Sequence, residues 1–137
     1  MPEPKVKIIE SLALMTTWIK IQNLNHPETS PIKARLCTSF LSRLRGLMLQ
    51  TSLGENDGIL IDERKDGIAN TAIHMFFMRF PIAVIWINSN YEVVDSKIAS
   101  PWMPFYAPSK PARFILETHP SRHLDFKAGD RVKLLHE

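Results

Sequence analysis

Residues 73–87, IHMFFMRFPIAVIWI, constrain the fold of this chain more than any other segment. Their second half, residues 82–87, is a continuous run of β-branched, aromatic and other apolar side chains that ends at Asn88-Ser89-Asn90, a turn-forming sequence. Such a run is typical of a strand that is buried on both faces. Pro81 biases the preceding residue towards an extended conformation. Residues 73–81 are therefore expected to be a separate segment that leads into the strand. We expect its side chains to have a role beyond packing in the core.

The composition is that of one ordinary folded domain. The chain has 137 residues, 45% of them hydrophobic, and a single cysteine, Cys37, which excludes an intramolecular disulfide. Charged residues interrupt the apolar runs of the first twenty residues, and no segment reaches the ~18–20 uncharged apolar residues of a membrane span. We therefore predict a soluble, cytoplasmic protein. Residues 1–16 are expected to be a poorly defined N-terminal extension, and residues 17–137 a single β domain.

Alternation of polar and apolar side chains predicts a fold that is mainly β, a compact antiparallel β-sandwich or barrel with one or two short helices. A helix is expected over 40–48, after Ser39 as N-cap, and a short one after Pro120. Residues 62–67 are expected to form a charged loop. The predicted strands are residues 17–24, 32–38, 59–61, 71–75, 82–87, 91–98, 113–118 and 131–135.

Two connections are rich in large apolar side chains. Residues 75–81 and 101–111 combine methionine, aromatic residues and proline, and neither has the periodicity of a helix or a strand. Connections seldom carry so many large apolar groups unless they cover something, so we predict that the two loops meet and line a pocket or a protein-binding surface. The alternative is that they only cap one end of the β core. The predicted ligand contacts are Met75, Met78, Phe80, Trp102, Met103 and Phe105.

Three polar residues are candidates for catalysis. His74 and Arg79 could place a proton-transfer group beside an anion-binding group, with Glu117 as the carboxylate. The structural alternative is that His74 donates to a backbone carbonyl while Arg79 pairs with Glu117 or with an acid of residues 62–66. The sequence favours that alternative.

The sequence predicts no metal and no cofactor. Met75, Met78 and Met103 could bind Cu(I) with His74, but methionine also fills irregular cores. His119 and His123 have the four-residue spacing of helical metal ligands, yet Pro120 places His119 at the cap, away from the face of His123. The alternation turns Cys37 away from the apolar face of its strand, and no motif activates it as a nucleophile.

One stretch is basic. No acid occurs between Glu28 and Glu55, a segment that contains Lys33, Arg35, Arg43 and Arg45. Four cations spread over a strand and a helix are more typical of a solvated face than of a phosphate-binding site. RNA binding through residues 33–45 is kept as an alternative, although the sequence does not favour it.

The order of several short motifs resembles family 192 of the domains of unknown function, a group of small prokaryotic proteins. The resemblance covers about residues 30–135. The motifs are Arg45-Gly46-Leu47-Met48, Ser52-Leu53, Asp57-Gly58, residues 73–82, Val93-Val94, Phe114-Ile115-Leu116-Glu117 and Gly129-Asp130-Arg131-Val132. It implies a compact β-sandwich-like fold with a short helix, and it implies no reaction.

The chain departs from that family pattern at two places. Ala83 stands where members usually carry an acid after the Pro-Ile pair, and residues 118–123 replace a small-residue helix. If the acid is functional in the family, this member has lost or changed that function. If the acid is structural, Ala83 only removes a polar partner.

These observations predict a small non-enzymatic binding or accessory module. It would use loops 75–81 and 101–111 to hold a small ligand or a protein partner. A small hydrolase-like enzyme using His74, Arg79 and Glu117 is the alternative from another class.

Overall fold

The computed structural model describes residues 17–37 and 53–137. The predicted N-terminal extension and the predicted helix over 40–48 lie outside the described residues. The chain is mainly β, as predicted. The seven strands are β1 (Trp18–Asn23), β2 (Ile32–Cys37), β3 (Asp57–Gly67), β4 (Ile82–Ile87), β5 (Val93–Ala99), β6 (Ala112–Thr118) and β7 (Val132–His136). Two 3-10 helices span Ala69–Thr71 and Pro120–Asp125.

The strands form one sheet in the order β5-β4-β6-β3-β2-β1-β7. Neighbours are antiparallel except β2 and β3, which are parallel. Residues 38–56 separate these two strands, and a parallel pair needs a crossover of that length. The two hairpins expected from the sequence are present, with Ile21 opposite Ile32 in β1–β2 and Ile82 opposite Ala99 in β4–β5.

Both faces of the sheet are covered. The first cluster, here the loop-side core, contains Cys37, Ile59, Ile61, Ile73, Met75, Met78, Ile82, Val84, Trp86, Ala99, Ala112 and Ile115. The second, the opposite core, contains Ile19, Ile21, Ile32, Ala34, Leu60, Ile85, Ile87, Val93, Phe114, Leu116, Phe126 and Val132. β4 contributes alternate residues to both clusters and is buried throughout, which confirms the prediction from its unbroken apolar run.

Three local predictions were wrong. β3 continues through the expected charged loop to Gly67, because it pairs with β6 as far as Ala112 across an irregularity after Asp62. The predicted strand over 71–75 is absent: Thr71 ends a 3-10 helix, and the following residues form only a single bridge, between Ile73 and Tyr106. Cys37 is buried instead of turned outward, because the loop-side core covers that face of β2.

Candidate functional site

The two apolar loops lie against each other, as predicted. Ile73 and Tyr106 exchange backbone hydrogen bonds of 2.8 and 2.9 Å. Further along, Met75 N–H donates to Met103 O at 2.9 Å, and Trp102 N–H donates to Met75 O at 2.7 Å. Four backbone hydrogen bonds therefore fix one loop on the other, and they bring residues far apart in the sequence into one surface.

Each loop makes a tight turn at the point of contact. Met78 N–H donates to Met75 O at 3.3 Å, and Met103 N–H donates to Ser100 O at 3.4 Å. The third residues of these turns, Phe77 and Trp102, have φ values of 65° and 67°. A positive φ at the third residue is characteristic of a type II turn, in which this residue is usually glycine or asparagine.

The two aromatic residues contact each other in solvent. The ring centroids of Phe77 and Trp102 are 5.1 Å apart and their planes are tilted by 59°. Phe77 is 56% exposed and Trp102 58%. We call the large apolar side chains that the two loops expose the loop-pair surface; they are Phe76, Phe77, Trp102, Met103 and Phe105.

The predicted ligand contacts divide into two groups. Trp102, Met103 and Phe105 belong to the loop-pair surface. Met75 and Met78 are fully buried in the loop-side core, and Phe80 is partly buried against it. Sequence reasoning did not separate these groups, because methionine and phenylalanine are equally at home in a core. It also left out Phe76 and Phe77, because their turn, residues 75–78, contains no glycine, proline or asparagine that would have marked it.

An open depression of about 570 Å³ lies at the tips of the turns. It is lined by Phe77, Met78, Arg79, Pro101 and Trp102. Arg79 is exposed and brings a permanent positive charge to this depression. The arrangement combines aromatic surface with one cation.

A separate cavity of about 220 Å³ lies beside Phe105. Its walls are mostly apolar, and His74 and Glu63 are its titratable groups; the full lining is Ile61, Glu63, Ala72, Ile73, His74, Pro104, Phe105 and Ile115. His74 Nδ1 accepts a hydrogen bond from Phe76 N–H at 3.2 Å. The second nitrogen of the ring, Nε2, then carries the proton of the neutral form.

The three candidate catalytic residues occupy different places. His74 lines the cavity beside Phe105, Arg79 lines the depression at the turns, and Glu117 is fully buried within β6. The alternation of β6 turns Glu117 to the same sheet face as Ile115, in the loop-side core. The hydrolase alternative that combines these three groups stays a prediction.

Two of the acids that could have paired with Arg79, Asp62 and Asp66, are engaged elsewhere. Arg113 donates to both carboxylate oxygens of Asp62 at 2.9 and 3.0 Å, and Asp66 accepts from Ser89 N–H at 2.9 Å. Burial raises the pKa of Asp62, but hydrogen bonds from Arg113 and from the backbone of Arg64 outweigh it and hold that pKa below its usual value. The hydrogen bond to Asp62 raises the pKa of Arg113.

The two candidate histidine ligands are held apart. His119 caps the second 3-10 helix, where it accepts from Ser121 N–H at 3.1 Å, while His123 Nδ1 lies 2.8 Å from Ser96 Oγ. Within residues 17–37 and 53–137, no group of three His, Cys, Asp or Glu side chains could hold a metal ion. That search does not test Met75, Met78 and Met103, whose Cu(I) interpretation stays open.

Half of the basic stretch is described. Lys33 is exposed, lies 3.6 Å from Glu137 and is placed over the ring of Trp18. Arg35 is partly exposed on the same strand. Arg43 and Arg45 lie outside the described residues, so the RNA alternative also stays a prediction.

Sequence reasoning missed a buried cation, Arg122. It is 5% exposed. Its guanidinium donates to Asp125 at 2.6 Å, to Glu55 O at 3.1 Å, to Asn56 Oδ1 at 3.3 Å and to Ser30 O. Its position in the second 3-10 helix gave no signal of this role, because the partners come from distant turns. Arg122 is therefore a structural residue that ties three segments together.

The sequence matches the DUF192 family, described as an uncharacterized ACR, over residues 21–134. The chain belongs to this family. The match begins before residue 30, so it includes the end of β1. Ala83, where the family resemblance led us to expect an acid, is fully buried in β4 opposite Thr118 and Ile98. A carboxylate there would need a buried partner.

Archaeal proteins are among the relatives of this family member. A UPF0127 protein of Thermococcus kodakarensis is 39% identical over 102 residues, which are 73% of this chain and 63% of that protein. A UPF0127 protein of Pyrococcus furiosus is 36% identical over 104 residues, which are 74% of this chain and 86% of that protein. The chain thus spans just under two thirds of the Thermococcus relative.

Two solved structures share the fold. A protein of Sinorhizobium meliloti, provisionally described as a transcription regulator, superimposes with a TM-score of 0.72 at 18% identity, covering 87% of this chain and 93% of that one. A protein of unknown function from Novosphingobium aromaticivorans has a TM-score of 0.68 at 18% identity, covering 86% and 84%. At this identity the likeness shows the fold alone.

No helix in the described part of the chain is both long enough and apolar enough to cross a membrane.

Proposed function

We propose that this DUF192 protein is a small binding module that holds a small ligand or a protein partner on its loop-pair surface. The proposal needs no catalytic group. It rests on the exposed aromatic residues at the tips of the two turns, and the cavity beside Phe105 offers adjoining apolar space.

The observation that carries the proposal is the pair of positive φ angles at Phe77 and Trp102. A left-handed conformation costs a residue with a side chain about 1–2 kcal/mol relative to glycine. Selection for stability alone favours glycine at both positions. The chain instead has two exposed aromatic side chains there, in contact with each other. Conformational strain of this kind is concentrated at functional sites, which supports a role in binding.

The distribution of exposed apolar groups supports the same proposal. Of the twelve large hydrophobic side chains exposed in the described residues, five belong to the loop-pair surface. Single exposed apolar residues are ordinary, whereas a contiguous group is typical of an interaction site. Aromatic side chains suit this use, because they bury a large area on contact and lose little conformational freedom.

The test compares the double variant Phe77→Gly/Trp102→Gly with the native protein. Indole is the probe, and the shifts of backbone amide resonances locate its binding. We expect indole to shift the amides of residues 76–79 and 101–105 in the native protein, and we expect the double variant to lose these shifts. Leu124→Gly is the control, because Leu124 is 72% exposed and lies in the second 3-10 helix.

The double variant should keep its fold. Relief of the left-handed strain at two positions, about 1–2 kcal/mol each, offsets the lost ring contact of about 0.5–1.5 kcal/mol and the added freedom of the unfolded chain. The free energy of unfolding in urea should change by less than ~1 kcal/mol. Loss of several kcal/mol, or indole shifts that persist in the double variant, would contradict the proposal and favour a structural cap.

A further inference from the structure

We propose that the depression at the turn tips binds a planar aromatic group that carries an anionic substituent. This inference rests on the proposed function, because it uses the same pair of aromatic residues. It adds the chemical class of the ligand, and it assigns a specificity role to Arg79.

The aromatic walls account for the planar group. Phe77 and Trp102 each keep more than half of their surface exposed, and their rings, which contact each other, line the depression together with Pro101. Aromatic rings bind other planar groups by stacking or edge-to-face contact. The backbone hydrogen bonds between Met75 and the facing loop hold both turns in place, so the rings need little ordering when a ligand arrives.

The charge distribution accounts for the anionic substituent. Arg79 is the only charged residue among the five described residues that line the depression. The sequence has no Asp or Glu between Asp66 and Glu92, nor between Asp95 and Glu117. Both loops are thus free of acidic residues, and an anion beside Arg79 meets no carboxylate from either of them.

Two neighbouring cations, Lys97 and Arg113, are already engaged, and Lys110 lies outside the lining of the depression. Lys97 Nζ donates to Ala107 O at 2.6 Å and lies 3.6 Å from Asp95, and Arg113 is paired with Asp62. A guanidinium can hold a carboxylate or a phosphate with two parallel hydrogen bonds while it stacks on an aromatic ring. Arg79 is therefore the group that selects the anion.

The neighbouring cavity has the opposite character. Glu63 lines it together with His74, and its walls are aliphatic apart from Phe105. A carboxylate at this cavity disfavours an anionic ligand. The two depressions can thus be distinguished by ligand charge, and the amide resonances that shift report which one is occupied.

The experiment uses matched pairs of probes that differ in charge. Indole-3-acetate is compared with tryptophol, its neutral alcohol, and adenosine monophosphate is compared with adenosine. The first pair tests a carboxylate and the second a phosphate. Affinities come from amide-shift titrations of the full chain at low and high salt.

We expect at least one anion to bind roughly two- to fivefold more tightly than its neutral counterpart at low salt, the size of one solvent-exposed ion pair. The preference should shrink at high salt. Arg79→Gln should abolish the preference and keep the affinity for the neutral probe. Lys110→Gln, which removes an exposed cation of the facing loop outside the depression, should keep the preference.

Two results would overturn the inference in distinguishable ways. If anionic and neutral probes bind equally, and both lose affinity in Phe77→Gly/Trp102→Gly, the anionic class is wrong and the proposed function stands. If no probe shifts the amides of residues 76–79 and 101–105, the proposal of a small-molecule site fails together with this inference.

Discussion

At the scale of single residues, burial separates the side chains that stabilise the loops from those that are available to a ligand. Met78 and Phe105 are both apolar loop residues, but Met78 is 1% exposed and Phe105 is 65% exposed. Met78→Ser should cost about 3 kcal/mol or more of unfolding free energy, since it leaves a cavity and buries a hydroxyl. Phe105→Ser should cost less than ~1 kcal/mol. Urea unfolding of both variants checks this, and similar losses would contradict it.

The charged pair of Asp62 and Arg113 should make stability depend on pH. Because the native pKa of Asp62 lies below its unfolded value of about 3.9, the pair stabilises the fold above that unfolded value. This contribution is lost as the pH falls through the native pKa. We expect less than ~1 kcal/mol, since the pair is partly exposed.

Unfolding in urea at several pH values between about 2 and 6 checks the prediction for the native protein and for Asp62→Asn. The difference in unfolding free energy between the two should shrink as the pH falls. Glu63→Gln is the control, because Glu63 is an exposed neighbour on the same strand. A difference that is constant over this range would contradict the role of the Asp62 carboxylate.

At the scale of elements, hydrogen bonds of Arg122 join the second 3-10 helix to two distant segments. Its guanidinium reaches Ser30 O and Glu55 O as well as Asp125. Lysine keeps the charge but cannot supply these divergent donors. Arg122→Lys should therefore leave at least one of these two carbonyls without its donor and cost about 1–2 kcal/mol.

Arg131→Lys is the matched control for this substitution. Arg131 pairs with Glu92 at 3.1 Å, but its side chain is 59% exposed. The exposed pair should lose less than ~0.5 kcal/mol. Equal stability of Arg122→Lys and the native protein in urea would show that the buried guanidinium is not needed to join the three segments.

The sequence could predict the elements that depend on local patterns, but not the pairings between distant segments. β4 and the two hairpins follow from local patterns, an unbroken apolar run and alternating strands on either side of a turn. The parallel pairing of β2 with β3 depends on a long crossover, and no local pattern encodes it. Cys37 lies on the face of β2 that the alternation indicated, but distant parts of the loop-side core cover that face.

For the candidate site, the sequence could predict that the two loops meet, but not which of their side chains face solvent. Composition indicated that loops 75–81 and 101–111 meet, because both contained apolar groups that needed partners. It could not indicate that Met75 faces inward while Phe77 faces solvent. That difference depends on which residue takes the third position of each turn. This position requires a positive φ, which phenylalanine and tryptophan disfavour, so the residue types gave no indication of it.

At the scale of the whole molecule, the sheet curls until its outermost strands meet at one end. Val93, the first residue of β5, donates to Asp130 O at 2.8 Å and accepts from Gly129 N–H at 2.8 Å. Val132, the first residue of β7, donates to Tyr91 O at 2.9 Å. Both valines belong to the opposite core, so this junction closes the core at one end.

Gly129 sets the geometry of the junction. Its φ is 98°, and an added Cβ would find no atom within 4 Å, so substitution by alanine strains the backbone without a clash. We expect Gly129→Ala to cost at least about 1 kcal/mol and to speed hydrogen exchange at the amides of Val93 and Val132. Ala128→Ser, in the same turn, should change neither quantity. If the alanine variant loses stability while both amides stay protected, the strain remains in the turn and the curled sheet does not depend on this junction.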